Sequence, residues 1–256
     1  MKDLYSSIAH IFRELRVTDS EPVLYMKEKL EELDSIVAAD VGAGAGRYAK
    51  LLFDHLGNER LFLNCFDTNE YMLKSLQDYL RDNNITNFIT KIAAAEEMPL
   101  GDKELDCIFS FNSIHHFNFY KFFSEAIRVL KDDGKILIYS RTRTQNEESI
   151  WGRYFPLFRK KESRLYEPDE FTFKLSTIPE LELLETKVFS FKRDNTIREL
   201  VDRASSRHYS AFFLYEQEEF DLALKMFESN LIKNYPDPEH VEWVDEKIMF
   251  IVKKAV

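Results

Sequence analysis

The sequence predicts an α/β protein built on a doubly wound, mostly parallel sheet, and three observations carry that expectation. Short apolar runs rich in β-branched and aromatic residues alternate with segments of helical periodicity between residues 35 and 140. Alternation on that scale gives parallel strands with helices on both faces. The first apolar run passes through a glycine turn directly into a helical pattern, IVAADVGAGAGRYAKLL, and an acidic residue, Asp67, closes the next run.

The elements follow in order. Leu4, Ile8, Ile11 and Leu15 at helical spacing predict a first helix over 3–14. Glu21-Pro22 opens a second that reaches Leu33, with proline in the first turn and Val23, Met26, Leu30 and Leu33 as its apolar stripe. Strands are expected at 35–41, 60–66, 88–93, 105–111 and 135–140, with helices at 46–56, 69–80 and 119–130 between them. Asp132-Asp133-Gly134 reads as the turn into the fifth strand. Residues 141–178 break the rhythm with the stretch WGRYFPLFRKK. Strands return at 181–192 and 247–253, and a helical insertion rich in charge and aromatics fills 194–234.

Composition narrows the class. A chain of 256 residues fits one large domain or one and a half, at roughly 150 residues each, and we read it as one domain carrying a cap. It is 45% apolar, 31% charged and 14% aromatic, which excludes intrinsic disorder. No apolar run approaches the roughly 20 residues of a membrane helix, and the charged start MKDLYSSIAHIFRELR lacks a signal-peptide pattern. A cytoplasmic location is therefore expected. Cys65 and Cys107 sit inside apolar runs and read as buried thiols rather than a disulfide. Thirty-five Lys and Arg against 45 Asp and Glu leave a net charge of −10, which argues against a nucleic-acid partner. Locally, Arg141, Arg143, Arg153, Arg159, Lys160, Lys161 and Arg164 outnumber Glu147, Glu148 and Glu162. That segment is either a solvated surface or a lid that attracts an anionic substrate.

Glycine is scarce, seven in the chain, yet three fall within five residues as Gly42, Gly44 and Gly46. Such a turn lets the backbone approach a ligand, and the helix that follows offers unpaired N–H groups and a positive dipole end. The spacing is G-x-G-x-G; a dinucleotide fingerprint needs a small residue where Arg47 stands, and no Gly-Lys-Ser/Thr follows as in a P-loop. The turn can hold a carboxylate as readily as a pyrophosphate. Asp67, 21 residues beyond Gly46, can accept hydrogen bonds from both hydroxyls of a ribose or cap the helix after Thr68-Asn69-Glu70; beside the glycine turn the ribose reading is favoured. Asp40, if buried, must be hydrogen-bonded, either ordering the loop or meeting an amino group of the ligand.

These residues resemble class I S-adenosylmethionine-dependent methyltransferases, most closely the small-molecule branch of ubiquinone-biosynthesis-type and trans-aconitate-type enzymes. YSSIAHIFRELR is similar to the family's N-terminal lid helix and ADVGAGAGRYAKLL to its cofactor loop. AAAEEMPLGDKELDCIFSFNSIHHF resembles the third strand end through the fourth strand, and EAIRVLKDDGKILIYS the approach to the fifth. The likeness covers residues 1–140 well and the remainder loosely. It implies a Rossmann-like, seven-stranded, mostly parallel sheet with an antiparallel final strand. Residues 1–34 would be lid helices, 35–140 the cofactor-binding core, 141–178 and 194–234 a helical cap inserted after strands five and six, and 179–193 and 235–256 the final strands.

The resemblance also implies S-adenosylmethionine as cofactor, S-adenosylhomocysteine as product, no metal, and in-line methyl transfer to a small-molecule acceptor. Gly42, Gly44 and Gly46 would face the methionyl part, Asp67 and Thr68 the ribose, Ala95 and Glu96 the adenine, and Asn112 the sulfonium. One departure stands out. Many relatives carry an acidic residue two before Glu96 that reads the adenine amino group, and here that position is Ala94, which leaves the base to backbone groups or to Glu96.

Methyl transfer from a sulfonium needs mainly alignment, with proton removal where the acceptor is an OH or NH. His115 and His116 could supply a general base near neutrality or simply cap and pack the adjoining helix. Tyr5 and Phe12 are candidates to close over the cofactor, and Arg16 to meet a substrate carboxylate or lie on the surface. Arg207, His208, Tyr209 and Ser210 could line the acceptor site. Phe111-Asn112-Ser113 lacks the carboxylates of a catechol-type magnesium site. No D/N-P-P-Y follows the fourth strand, and no Pro-Cys nucleophile occurs. Two rivals remain: an RNA- or protein-modifying methyltransferase using residues 141–164, and a non-catalytic cofactor-binding scaffold.

Overall fold

The computed structural model describes residue 13 and residues 15–255; the expected first helix, with Tyr5 and Phe12, lies outside the described residues apart from Arg13. Seven strands form one sheet: β1 (Ile36–Val41), β2 (Leu61–Asp67), β3 (Phe88–Ile92), β4 (Leu105–Phe111), β5 (Leu130–Ser140), β6 (Leu181–Asn195) and β7 (Val241–Lys254), in the order β3-β2-β1-β4-β5-β7-β6. β1 pairs in parallel with β2 and β4, β2 with β3, and β4 with β5, and the final strand runs antiparallel. The chain therefore winds outward from β1 in one direction and returns to continue from β4 in the other. That reversal opens a crevice at the carboxyl ends of β1 and β4, the place where open α/β sheets hold ligands.

Three helices bury regular stripes beside these strands. Arg47–Leu56 buries Tyr48, Ala49, Leu52, Phe53 and Leu56; Glu70–Asp82 buries Met72, Leu73, Leu76 and Leu80; Phe119–Val129 buries Phe119, Phe122, Phe123, Ala126 and Val129. Each set recurs at three- and four-residue spacing, as a core-facing helix requires. The Asn69 side chain caps the second of these by accepting from the Tyr71 and Met72 N–H groups, and the Asn118 side chain caps the third by accepting from Lys121.

Two boundaries differ from expectation for physical reasons. The helix opened by Glu21-Pro22 ends at Glu28 rather than Leu33. Beyond it Arg60 donates to the Leu30 and Leu33 carbonyls at 2.6 and 2.8 Å, replacing the helical partners those oxygens would need. The fifth strand starts at Leu130, not after the Asp132-Asp133-Gly134 turn. Leu130 pairs with Leu105 and Lys135 with Cys107, so the turn survives as an irregularity within the strand, with Asp133 at φ +64°.

The chain divides into two compact units. The first runs through Ser140 and takes in Phe171–Lys187 and Met249 onward; the second comprises Arg141–Glu170 and Val188–Ile248. The second has an aromatic core of its own, in which Phe155 lies 4.8 Å from Phe212 and Trp151 5.4 Å from Phe227, ring centre to ring centre. Its basic stretch is matched by carboxylates: Arg143 meets Glu170, Arg153 Glu148, Arg159 Glu147, Lys161 Glu219 and Arg164 Glu162.

Arg141 and Asp245 form a buried ion pair in that unit, with Arg193 at 3.8 Å from the second carboxylate oxygen. Removing one member of such a pair strands a charge in a low-dielectric setting. Asp245→Ala should therefore lower stability by about 3 kcal/mol, measured as a reduced urea midpoint monitored by tryptophan fluorescence.

Candidate functional site

The glycine corner leaves β1 at the crevice. Gly42 (φ +73°) is needed because a Cβ there would stand 2.6 Å from the Ser113 Cβ, where the segment after β4 presses against the turn. Gly44 (φ +53°) differs: among the described residues a Cβ there would meet nothing within 4 Å, which leaves room beside its backbone for a ligand. The corner ends at Gly46, which begins the Arg47–Leu56 helix with no side-chain cap and no acidic residue in the first turn. The N–H groups there remain for an incoming anion.

Asp67 is bound to this corner. Its Oδ2 accepts the Gly44 N–H at 2.8 Å and its Oδ1 the Asn69 N–H at 2.9 Å. Asn69, not Asp67, supplies the side-chain cap of the following helix. Burial raises the Asp67 pKa, opposed by hydrogen bonds from the backbone of Asn69, Gly44 and Thr68. Each carboxylate oxygen has a further lone pair, so the group can still accept from two ribose hydroxyls.

Among the described residues, two polar atoms at the carboxyl ends of β1 and β4 have no hydrogen-bond partner. Asp40 is fully buried with Oδ1 unsatisfied, and burial, followed by the Asp67 charge, pushes its pKa up to about 8. Asn112 takes a left-handed conformation (φ +54°), donates its N–H to the Tyr139 carbonyl at 2.7 Å, and leaves a buried Nδ2 unpaired. Buried orphans are uncommon and costly; a pair flanking an open glycine corner fits a site that a polar ligand completes.

On the other side of Asp67, Thr68 opens a cleft of about 640 Å³ whose lining includes Ala93, Ala94, Glu97, Met98 and Arg128. Ala95 is buried. Glu96 is engaged elsewhere: its Oε1 accepts the Asn118 N–H at 2.6 Å, at the start of the Phe119–Val129 helix. The same helix fixes the cleft wall, since Glu125 accepts the Met98 N–H at 2.6 Å and Arg128 donates to the Met98 and Leu100 carbonyls at 3.1 and 2.9 Å. The sequence shows Glu125 and Arg128 as an i,i+3 pair in EAIRVL; nothing in that spacing announces their grip on a loop some 30 residues earlier.

Behind the corner, Tyr48 stacks on Phe111 with ring centres 4.2 Å apart, and Tyr139 meets both edge-on. Ser113 ties the segment after β4 to the corner by donating to the Val41 carbonyl at 2.9 Å. Sequence reasoning missed this support because it depends on residues 72 apart. His115 and His116 lie in the short 3₁₀ turn Ile114–His116 with ring centres 4.1 Å apart; the first is half-buried, the second exposed. Arg16 is half-buried.

In the second unit, His208 is only 2% exposed. Its Nδ1 is 2.7 Å from the Arg203 carbonyl, and its ring lies edge-on to Trp151 at 4.7 Å. Tyr209 packs on the same core, 5.9 Å from Trp151. The pair contributes to that unit's aromatic interior. Among the described residues no group of three or more His, Cys, Asp or Glu side chains could hold a metal ion. None of their helices is long and apolar enough to cross a membrane.

The geometry agrees with comparison to known proteins. Residues 39–138 match the methyltransferase domain family. The match runs from β1 through most of β5 and takes in Asp40, the glycine corner, Asp67 and Asn112. A candidate methyltransferase of Dictyostelium discoideum is 23% identical over 229 residues, covering 82% of this chain and 79% of that protein. In fold, the chain is similar to a solved candidate methyltransferase from an antibiotic biosynthesis pathway of Anabaena variabilis (TM-score 0.66, 22% identity, 94% of this chain and 99% of that one). A phosphoethanolamine N-methyltransferase of Haemonchus contortus, solved with S-adenosylhomocysteine and phosphomonomethylethanolamine, also shares the fold (TM-score 0.57, 18% identity). It spans 92% of this chain, and this chain spans 52% of it. The match falls on the segment whose motifs carry the resemblance.

The raised Asp40 pKa has a stability consequence with a definite sign. In the unfolded chain the carboxyl ionises near 3.9, whereas folded it holds its proton to about 8. The native state then binds the extra proton, so stability falls as pH rises through that window and levels off above it. Asp40→Asn, which cannot ionise, should gain on the wild type by roughly 5 kcal/mol across pH 4 to 8, read as a growing difference in melting temperature.

Proposed function

We propose that this protein binds S-adenosylmethionine and transfers its methyl group to a small-molecule acceptor. The observation that carries the reading is the glycine corner held by its Gly44 N–H to Asp67, beside the unpartnered Asp40 and Asn112. When bound, the cofactor supplies a methyl group already activated on a sulfonium. The chain's own residues then have three tasks. The uncapped start of the Arg47–Leu56 helix holds the carboxylate of the methionyl end, and the glycine corner gives it room to approach. Asp67 accepts the ribose hydroxyls. Asp40 and Asn112 offer buried hydrogen-bonding atoms at the strand ends, where the amino group and the reacting centre would lie.

Alignment is the main demand of an in-line displacement, and the stacked Tyr48 and Phe111 rings with Ser113 give the corner a rigid backing. His115 is the candidate base where the acceptor carries an OH or NH proton; no metal has a role in this scheme. A small acceptor is favoured over a polymer because the chain is acidic and the cations of its basic segment face carboxylates. We place the protein in the cytoplasm, where the buried Cys65 and Cys107 stay reduced.

Calorimetric titration with S-adenosylhomocysteine tests this reading. The folded protein should bind one equivalent, and Asp67→Ala should weaken binding at least about tenfold through loss of a charged acceptor. Absence of binding by folded wild type would defeat it. Binding without turnover across a broad panel of acceptors would leave only the cofactor-binding scaffold.

A further inference from the structure

The Phe119–Val129 helix holds the chain after β3 at both of its ends. At its start Asn118 donates its N–H to Glu96, and in its last turns Glu125 and Arg128 take hold of residues 98–103. Arg128 is saturated there. Its Nε donates to Glu125 Oε2 at 2.8 Å, and its Nη1 to the Leu100 carbonyl and Asp102, both at 2.9 Å. Its Nη2 donates to the Met98 carbonyl at 3.1 Å and to Glu125 Oε1 at 2.7 Å. Five acceptors meet the five N–H donors of one guanidinium. Two of the five are backbone carbonyls, so what the guanidinium fixes is the path of the loop. Its own carbonyl adds a further tie by accepting the Lys103 N–H at 2.9 Å.

The wall of the cleft beside Thr68 lies directly upstream of this grip, since Ala93, Ala94, Glu97 and Met98 line it. That stretch is anchored on both sides. The Ala93 N–H donates to the Asp67 carbonyl at 3.1 Å, and the Glu97 N–H closes a turn onto the Ala94 carbonyl at 3.2 Å. Met98 ends the turn, with its N–H on Glu125 and its carbonyl on Arg128. A wall pinned in advance gives up little conformational freedom when a ligand arrives. We infer, on the strength of the cofactor reading above with the adenine beside Ala95, that Arg128 is a positioning residue for the cofactor. Through Met98, and with Glu125, it holds the Ala94–Met98 turn in the shape that receives the base. Lysine cannot take its place, because an ammonium directs three donors from a single point and cannot reach acceptors spread over three stretches of chain.

Titration of S-adenosylhomocysteine into wild type, Arg128→Lys and Glu125→Gln, with amide hydrogen exchange measured in the presence and absence of that compound, tests the assignment. Arg128→Lys should bind about tenfold more weakly, the cost of ordering one backbone residue. Its amides at 94–103 should exchange faster than those of the wild type without ligand and regain protection with it, while those of Gly42–Gly46 exchange as in the wild type. Glu125→Gln, whose amide oxygen still accepts the Met98 N–H, should lose about threefold; it decides the matter if the lysine variant does not fold. Unchanged affinity with faster exchange at 94–103 would show that the pair serves stability alone, and the cofactor reading would stand. Weaker binding without faster exchange at 94–103, or faster exchange that extends to Gly42–Gly46, would equally overturn the assignment. If wild type does not bind S-adenosylhomocysteine, both readings fall together.

Discussion

The hydrogen bond from the Gly44 N–H to Asp67 joins the end of β1 to the end of β2 at the point where the sheet changes its direction of winding. Everything proposed for the site depends on that contact. It orients a backbone corner of glycines and alanines, and together with the Asn69 N–H it fixes the Asp67 carboxylate at a strand end. Gly42 lets the segment after β4 close on the corner, and Ser113 seals it to β1. The crevice is thereby walled by three strands before any ligand arrives, which limits the ordering that binding must impose.

The same region gives up stability. A fully buried Asp40 without a partner on Oδ1, an Asn112 with an unpaired amide nitrogen, and a left-handed backbone at a non-glycine residue all oppose folding. The second unit handles its own buried charge differently: Arg141 is answered by Asp245, and its histidine and aromatic rings are enclosed in a core. Unsatisfied groups at a crevice are what a molecule keeps when function needs them there.

Much of this was legible in the sequence because it is dictated by the backbone. Three glycines in a glycine-poor chain announce left-handed turns, and an acid ending the second strand sits next to them in any parallel sheet. Element order was readable for the same reason, since each strand and helix carries its own period. What could not be read depends on partners distant in the chain. Glu96 was placed at the adenine, but Asn118, 22 residues on, takes its carboxylate. The helix after Pro22 ends at Glu28, and Arg60, 30 residues after Leu30, bonds the carbonyls beyond its end. The sequence leaves His208 and Tyr209 as residues that could line an acceptor site; it does not show that their rings pack with Trp151 and Phe212. The run of cations at 141–164 promised a charged patch, and only the folded chain shows which carboxylates answer it.

A crystal structure with S-adenosylhomocysteine bound tests the central claim most directly. The account places the amino-acid carboxylate at the uncapped start of the Arg47–Leu56 helix beside the glycine corner and both ribose hydroxyls on Asp67, with the Gly44 N–H still donating to Asp67. Density for the nucleoside at another part of the sheet, or a filled corner with Asp67 turned away from the sugar, would contradict it.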